Sequence, residues 1–255
     1  MTRSGSIFVK KIKLLFWILV PAFIQSRAAT WQTFTESNSG LAGNTVRTVF
    51  VDVNGVKWFG TDSGLSRFDG AEWKTYKAGT ANPGLAADRV NGITLETLDA
   101  GPKLWLATQA GVSSASLIPG GLRFESGYSP SNSPLPADAI NAAVVDVFHY
   151  KWFGTDQGTA SLRDDSWDVY TRENYWINNN QVKCIASDPE GMNYFGTEGA
   201  GVSRLRFDPV DGVSSFQVIA FLPGDLVGLS IHRLTSGPST SHEAHHSSPG
   251  FALRK

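Results

Sequence analysis

The sequence predicts an all-β chain, on three observations. Charged residues are only 18% of the 255, low for a highly helical soluble protein and ordinary for an all-β one. Glycine is abundant, at 26 residues, which suits many tight turns. Short alternating apolar runs bounded by turn residues recur along the chain, and none of the recurring units holds an amphipathic 3.6-residue pattern of useful length. Hydrophobic residues make up 41%, with 8 Trp and 15 Phe, so material for a core is ample.

The N-terminus is a different kind of text. Arg3, Lys10, Lys11 and Lys13 precede an apolar run of 11 residues from Leu14 to Ile24. Ser26 and Ala28 then fit the −3 and −1 positions of a cleavage site. Together these predict a secretory signal peptide over residues 1–28, cleaved after Ala28. A membrane anchor is the alternative, but a spanning helix needs about 20 apolar residues. No other stretch is long enough to cross a membrane. Cleavage removes five basic residues and no acidic ones, leaving 17 Lys and Arg against 23 Asp and Glu, a formal charge of −6. The expected location is therefore outside the cytoplasm, periplasmic or extracellular. The expected partners exclude nucleic acid and, after cleavage, the membrane. The single cysteine, Cys184, lies in the strand-like "QVKCIAS", which predicts a buried core thiol.

The remainder repeats. Aligned on the aromatic residue before a Thr-containing turn, Trp58, Trp105, Trp152 and Tyr194 recur at steps of 47, 47 and 42 residues. The segments read "WFGTDSG", "WLATQAG", "WFGTDQG" and "YFGTEGAG". They bring Thr61, Thr108, Thr155 and Thr197 into register, with Gly60, Gly154 and Gly196 before three of them and Ala107 in the second copy. Each copy begins with an alternating apolar run. In three of them the run leads to an Asp followed by a turn: "VNG" after Asp52, "AG" after Asp99 and "PEG" after Asp188. The third copy has "VFHY" there, with Asp146 out of step in spacing. Short strands follow each Gly, and a closing strand ends each copy ("EWKTY", "LRFESGY", "SWDVY", "SFQVI"). Four short strands in roughly 40–50 residues describe one blade of a β-propeller. The prediction is a propeller-type array of about four four-stranded blades, near 44–77, 88–128, 138–171 and 180–221, within a repeat region over 29–221.

"NTVRTVFVDVNGVKWFGTDSGLSRFDGAEWKTY", Asn44 to Tyr76, resembles the two-component regulator propeller repeat. The resemblance covers roughly Trp31 to Phe221 and is weakest in the second copy. It implies the exported sensor region of a bacterial hybrid two-component system, although such repeats also occur in free-standing exported proteins.

Stacked blades explain the residue types. Alternate residues of a strand face the two neighbouring blades, so Trp58 and Phe59 serve opposite contacts and Gly60 permits close approach. The repeated Trp, Gly and Thr positions are expected to be structural. "WQTF" from Trp31 resembles the closing strands and predicts an N-terminal strand over 31–35. Such a strand often completes the last blade of a closed propeller, but the fourth copy has a closing strand of its own. From residue 222 the repeat signature fails, and Ser, His and Pro accumulate. This predicts a disordered tail over 222–255, and a truncated or frame-shifted piece of a larger propeller.

The turn after the second strand of each unit carries Asp62, Gln109, Asp156 and Glu198, expected on the face that also holds the inter-blade connections. A mostly acidic ring at one mouth of the channel would suit sugar hydroxyls or a cation; ordinary solvated turn residues are the plainer alternative. Asn44, Asn91, Asn141 and Gln181 lie near the starts of the first strands and supplement that ring. Catalysis looks poor. Within the repeats the one histidine, His149, is expected on the opposite face, and the "HEAHH" run at His242–His246 has no framework to hold a metal. No phosphate loop, nucleophile elbow or paired-Cys motif appears, and no cofactor is expected. The predicted function is non-catalytic binding of a carbohydrate or other small ligand by an exported sensor-like propeller. The alternatives are a protein-interaction scaffold, which an open blade edge would also let self-associate, and, less favoured, an enzyme resembling the streptogramin lyases.

Overall fold

The computed structural model describes residues 30–79, 84–174, 177–207, 213–222 and 225–234. The signal peptide expected over 1–28 lies outside them, as does the His-rich run. The chain divides into two compact units, Met1–Thr33 and Phe34–Lys255. Four antiparallel sheets form a four-bladed β-propeller in the second unit. Blade 1 holds β1 (Val46–Val51), β2 (Lys57–Thr61), β3 (Gly64–Phe68) and β4 (Trp73–Tyr76). Blade 2 holds β5 (Val90–Leu98), β6 (Gly101–Thr108), β7 (Gly111–Ile118) and β8 (Gly121–Tyr128). Blade 3 holds β9 (Ile140–Val145), β10 (Lys151–Thr155), β11 (Gly158–Arg163) and β12 (Ser166–Tyr170). Blade 4 holds β13 (Val182–Ser187), β14 (Met192–Thr197), β15 (Val202–Phe207) and β16 (Val213–Leu222), and adds β17 (Asp225–Leu234).

That fifth strand corrects the expected tail. The segment predicted to be disordered from 222 onward pairs with β16 along the whole of β17, from Leu222↔Asp225 to Val213↔Leu234. Residues 225–234 alternate well enough to add to an open sheet edge, and the run of Ser, His and Pro begins only after them. Residues 31–35, expected as a strand, form none, and Trp31 is 99% exposed. The outer edge such a strand would seek in the last blade belongs to β17. Phe34 instead packs on Phe68 and Trp73, with ring centroids 5.4 and 5.3 Å away.

Each blade is closed by the same small devices. The Thr hydroxyl donates to the carbonyl of the residue three or four positions on: Thr61 to Gly64, Thr108 to Gly111 and Thr155 to Gly158 at 2.8 Å, and Thr197 to Gly201 at 2.9 Å. The Gly that follows is forced. Gly111 has φ of 112°, and a Cβ there would lie 2.1 Å from the Tyr128 carbonyl oxygen of the neighbouring strand. At the other end a buried carboxylate folds the first hairpin. Asp52 accepts from the backbone of Asn54 and Val56 and from the Trp58 indole at 2.9 Å. Asp146 does the same for Phe148, Tyr150 and Trp152, and the half-buried Asp188 for Glu190, Met192 and the Tyr194 hydroxyl.

Two sequence alignments are corrected here. Asp146 is in step with Asp52 and Asp188, and His149, at φ 64°, stands where Gly55 and Gly191 stand. In blade 2 the equivalent carboxylate is Glu96 rather than Asp99; it accepts from the Trp105 indole at 2.8 Å. The longer strands β5 and β6 carry their turn beyond it.

Blades pack in sequence, β1 against β5, β5 against β9 and β9 against β13. Each junction holds its own core. Trp58 packs with Leu85, Val90, Ile93 and Leu104. Trp105 packs with Leu135, Ile140 and Phe153, and Trp152 with Ile177, Val182 and Phe195. Burying each such side chain contributes on the order of 1.5–3 kcal/mol. Leu41, Leu85, Leu135 and Ile177 all lie three residues before the Asn or Asp that leads into the inner strand, and all are buried. They plug each blade from its incoming loop. The two terminal faces are different. Val46, Val49 and Val51 on blade 1 are 41%, 59% and 54% exposed, whereas their counterparts Val90 and Ile93 are 0% and 8%. Cys184 on blade 4 is exposed, which corrects its expected burial. It sits opposite Gly196, on the face of β13 turned away from blade 3.

Candidate functional site

Every inner strand bulges at the same place. The pairings Val46↔Thr61, Val90↔Thr108, Ile140↔Thr155 and Val182↔Thr197 are each followed by a register shift. The extra residue is Arg47, Asn91, Asn141 and Lys183 in turn. A bulge leaves one residue out of the ladder and re-aims its side chain. Here all four line one cavity of about 400 Å³ together with Thr45, Val46 and Arg89. The site is thus built from one bulged residue per blade, on rigid strands, around the propeller axis.

The four turn residues expected as an acidic ring hold equivalent positions. Backbone N–H groups of Asp62, Gln109 and Glu198 bond the carbonyls of Thr45, Arg89 and Gln181 at 3.1, 3.1 and 2.9 Å. None of the four lines the cavity. Two of them brace it. The Asp62 carboxylate accepts from Arg47 Nε and from Arg47 Nη2 at 3.2 Å, and Arg89 Nε lies 3.5 Å away across the blade junction. The Asp156 carboxylate accepts from Lys183 at 2.7 Å and from Asn141 at 2.8 Å. Arg47 hydrogen bonding holds the Asp62 carboxyl below its ordinary range, and Lys183 does the same for Asp156. Both are therefore anionic at neutral pH and spoken for by cations. Gln109 and Glu198 are exposed on their turns.

Of the supplementary amides, Asn91 and Asn141 line the cavity and stitch blades together. Asn91 Nδ2 donates to the Ile140 carbonyl at 2.8 Å, and Asn141 Nδ2 to that of Val182 at 2.9 Å. Asn44 and Gln181 sit two and one residues ahead of the inner strand. Asn44 accepts from the Glu36 backbone at 2.9 Å, a loop cap shared with Asp88 and Asn180. Sequence reasoning missed Arg47, Arg89 and Lys183. For Arg47 and Lys183 the signal was present, a polar residue one past the first apolar residue of every inner strand, in "TVRTV", "RVNGI", "AINAA" and "QVKCI"; Arg89 stands one residue before that apolar position.

His149 lies in the β9–β10 turn, at the other end of the hairpin from Asp156, with Nδ1 3.9 Å from Glu96 Oε1. Among the described residues no three His, Cys, Asp or Glu side chains converge as a metal site.

No protein-family model and no curated protein matches the chain. Solved structures do. The chain is similar to the extracellular domain of the proposed hybrid two-component system BT3049 of B. thetaiotaomicron. The identity is 18% and the TM-score 0.56, over 78% of this chain and 31% of that one. It is similar to the extracellular domain of the proposed one-component system BT4673 of the same organism, at 18% identity and a TM-score of 0.53, over 72% of this chain and 27% of that one. A virginiamycin B lyase from Staphylococcus aureus aligns at 12% identity and a TM-score of 0.45, over 73% of this chain and 69% of that one. The first two share the propeller fold, and the chain spans less than a third of their length. The lyase likeness is too loose to bear on chemistry.

Proposed function

We propose that the chain is an exported, non-catalytic binding module of the kind that forms the outer sensor region of two-component systems, and that it takes a small polar solute at its axial cavity. The observation that carries this is the coincidence of four β-bulges, one per blade, that turn Arg47, Asn91, Asn141 and Lys183 toward one space. The volume, about 400 Å³, falls in the range of small-molecule sites. The likeness to extracellular domains of signalling systems supports export and a sensing role. A ligand of the native state must raise the melting temperature. Thermal melting against a panel of mono- and disaccharides, neutral and acidic, is the test: a shift of a few degrees is expected for at least one, and a flat panel contradicts the reading.

A second reading rests on the rear face of blade 1. There Val46, Val49 and Val51 repeat the apolar row that blades 2 to 4 bury against their predecessors. The front face of blade 4, at Cys184 and Gly196, is the counterpart of the faces those rows pack on. A second copy, stacked head to tail, continues the internal blade interface, and the chain then serves as a scaffold.

A further inference from the structure

We infer that the solute carries an oxyanion, a carboxylate or a sulfate, and that Arg47, Arg89 and Lys183 receive it. The inference rests on the binding role proposed above and specifies its ligand. Three of the seven cavity-lining residues are cations and none is a carboxylate. The carboxylates behind them, Asp62 and Asp156, leave one positive charge in excess. That excess stands on a chain whose formal charge is negative, so the mouth runs against the molecule's own field.

Three of the four amide hydrogens are already engaged. Asn91 Nδ2 serves the Ile140 carbonyl, and its Oδ1 accepts from Arg89 Nε at 3.2 Å. Asn141 Nδ2 serves Val182 and Asp156. They fix the frame. The cations keep donors in hand. The contacts described for Arg47 use Nε and Nη2, those for Arg89 use Nε alone, and Lys183 gives one of its three hydrogens to Asp156. What remains is Nη1 of Arg47, the guanidinium fork of Arg89 and two hydrogens of Lys183. These come from blades 1, 2 and 4, and the three residues line one cavity. Forked guanidinium donors match the paired oxygens of carboxylate and sulfate. Neutral hydroxyls would need acceptors as well as donors, and the lining offers few.

The test is calorimetric titration of the full chain with galacturonate, galactose 6-sulfate, inorganic sulfate and galactose. Galacturonate or galactose 6-sulfate binds, more weakly at about 0.5 M salt than at about 0.05 M. Galactose does not. The double variant Arg89→Gln/Lys183→Gln loses at least about tenfold in affinity, the order of one charged hydrogen bond. Both side chains are more than 40% exposed, so the variant keeps its melting temperature within a few degrees. A carboxylate preference separates galacturonate from the sulfated sugar, and inorganic sulfate binding as well as either sugar reduces the site to a simple anion site. Galactose binding as tightly as galacturonate overturns the charge assignment and leaves the binding role standing. Anion affinity that survives in the double variant overturns the assignment of these residues. If none of the four binds, both fail.

Discussion

Asp146 accepts from four donors at once: the backbone of Phe148 and Tyr150, the Trp152 indole and, across the junction, the Asn193 amide at 3.0 Å. It is 5% exposed. Asp146→Ala strands these groups in the interior, each at about 1–3 kcal/mol, of which water entering the cavity recovers part. The expected loss is about 3–4 kcal/mol by urea denaturation, with Asp146→Asn milder. Asp69 shows the opposite case, a carboxylate at the surface. It accepts from the backbone of Glu72 and Ala71 and from Arg67, and these bonds hold its pKa at about 2 against an ordinary 3.8. A depressed folded-state pKa contributes stability above the ordinary value and loses it as pH falls through the folded one. An acid melt monitored by circular dichroism should therefore decline between about pH 4 and about pH 2, and less steeply in Asp69→Asn. Asp69 was visible in the sequence as a turn residue; Asp146 was misjudged, because spacing alone hid that His149 can take the positive φ of a turn glycine.

Among elements, blade 2 departs from its siblings in a compensated way. Gly60, Gly154 and Gly196 stand opposite Thr48, Ala142 and Cys184; in blade 2, Ala107 stands opposite Gly92. A Cβ at Gly60 would lie 2.5 Å from Thr48 Cγ2, and one at Gly92 would lie 3.4 Å from the Cβ of Ala107. At Gly60 the facing pair has room for only one side chain, whereas at Gly92 the tightest approach is 3.3 Å, to the Ala143 nitrogen of the next blade. Gly60→Ala should cost about 1–3 kcal/mol through overpacking, and Gly60→Ala/Thr48→Gly should recover the part owed to Thr48, a coupling that a double-mutant cycle measures. The repeat was legible because each blade meets the same packing demand with Trp, Thr and Gly at fixed spacing. The bulge was not. It is a property of two paired strands, and Arg47 meets Asp62 only once a hairpin brings residues 15 apart together. The cations at the mouth were overlooked for the same reason: the turn acids are conspicuous in sequence, and the cations that pair with Asp62 and Asp156 lie on the inner strands or beside them. β17 was missed because the loss of the repeat signature says nothing about pairing at a free sheet edge.

For the whole molecule, what covers a terminal face is not written in the strand that forms it. "QVKCIAS" has the apolar character of a core strand, yet Cys184 is exposed because its side of blade 4 is an end of the stack. The valine row of blade 1 is the other end. Head-to-tail association through these faces should appear as a concentration-dependent rise in mass by light scattering, and Val49→Lys/Val51→Lys should hold the chain monomeric without lowering its melting temperature. An unchanged monomer at all concentrations would set the scaffold reading aside. The central claim is that the bulged residues of the four inner strands form a binding site. Hydrogen–deuterium exchange, with and without whichever sugar raises the melting temperature, tests it most directly. The account predicts slowed exchange at the starts of β1, β5, β9 and β13, around Arg47, Asn91, Asn141 and Lys183. Protection confined to the outer strands or to the rear face of blade 1, with these four segments unchanged, would contradict it.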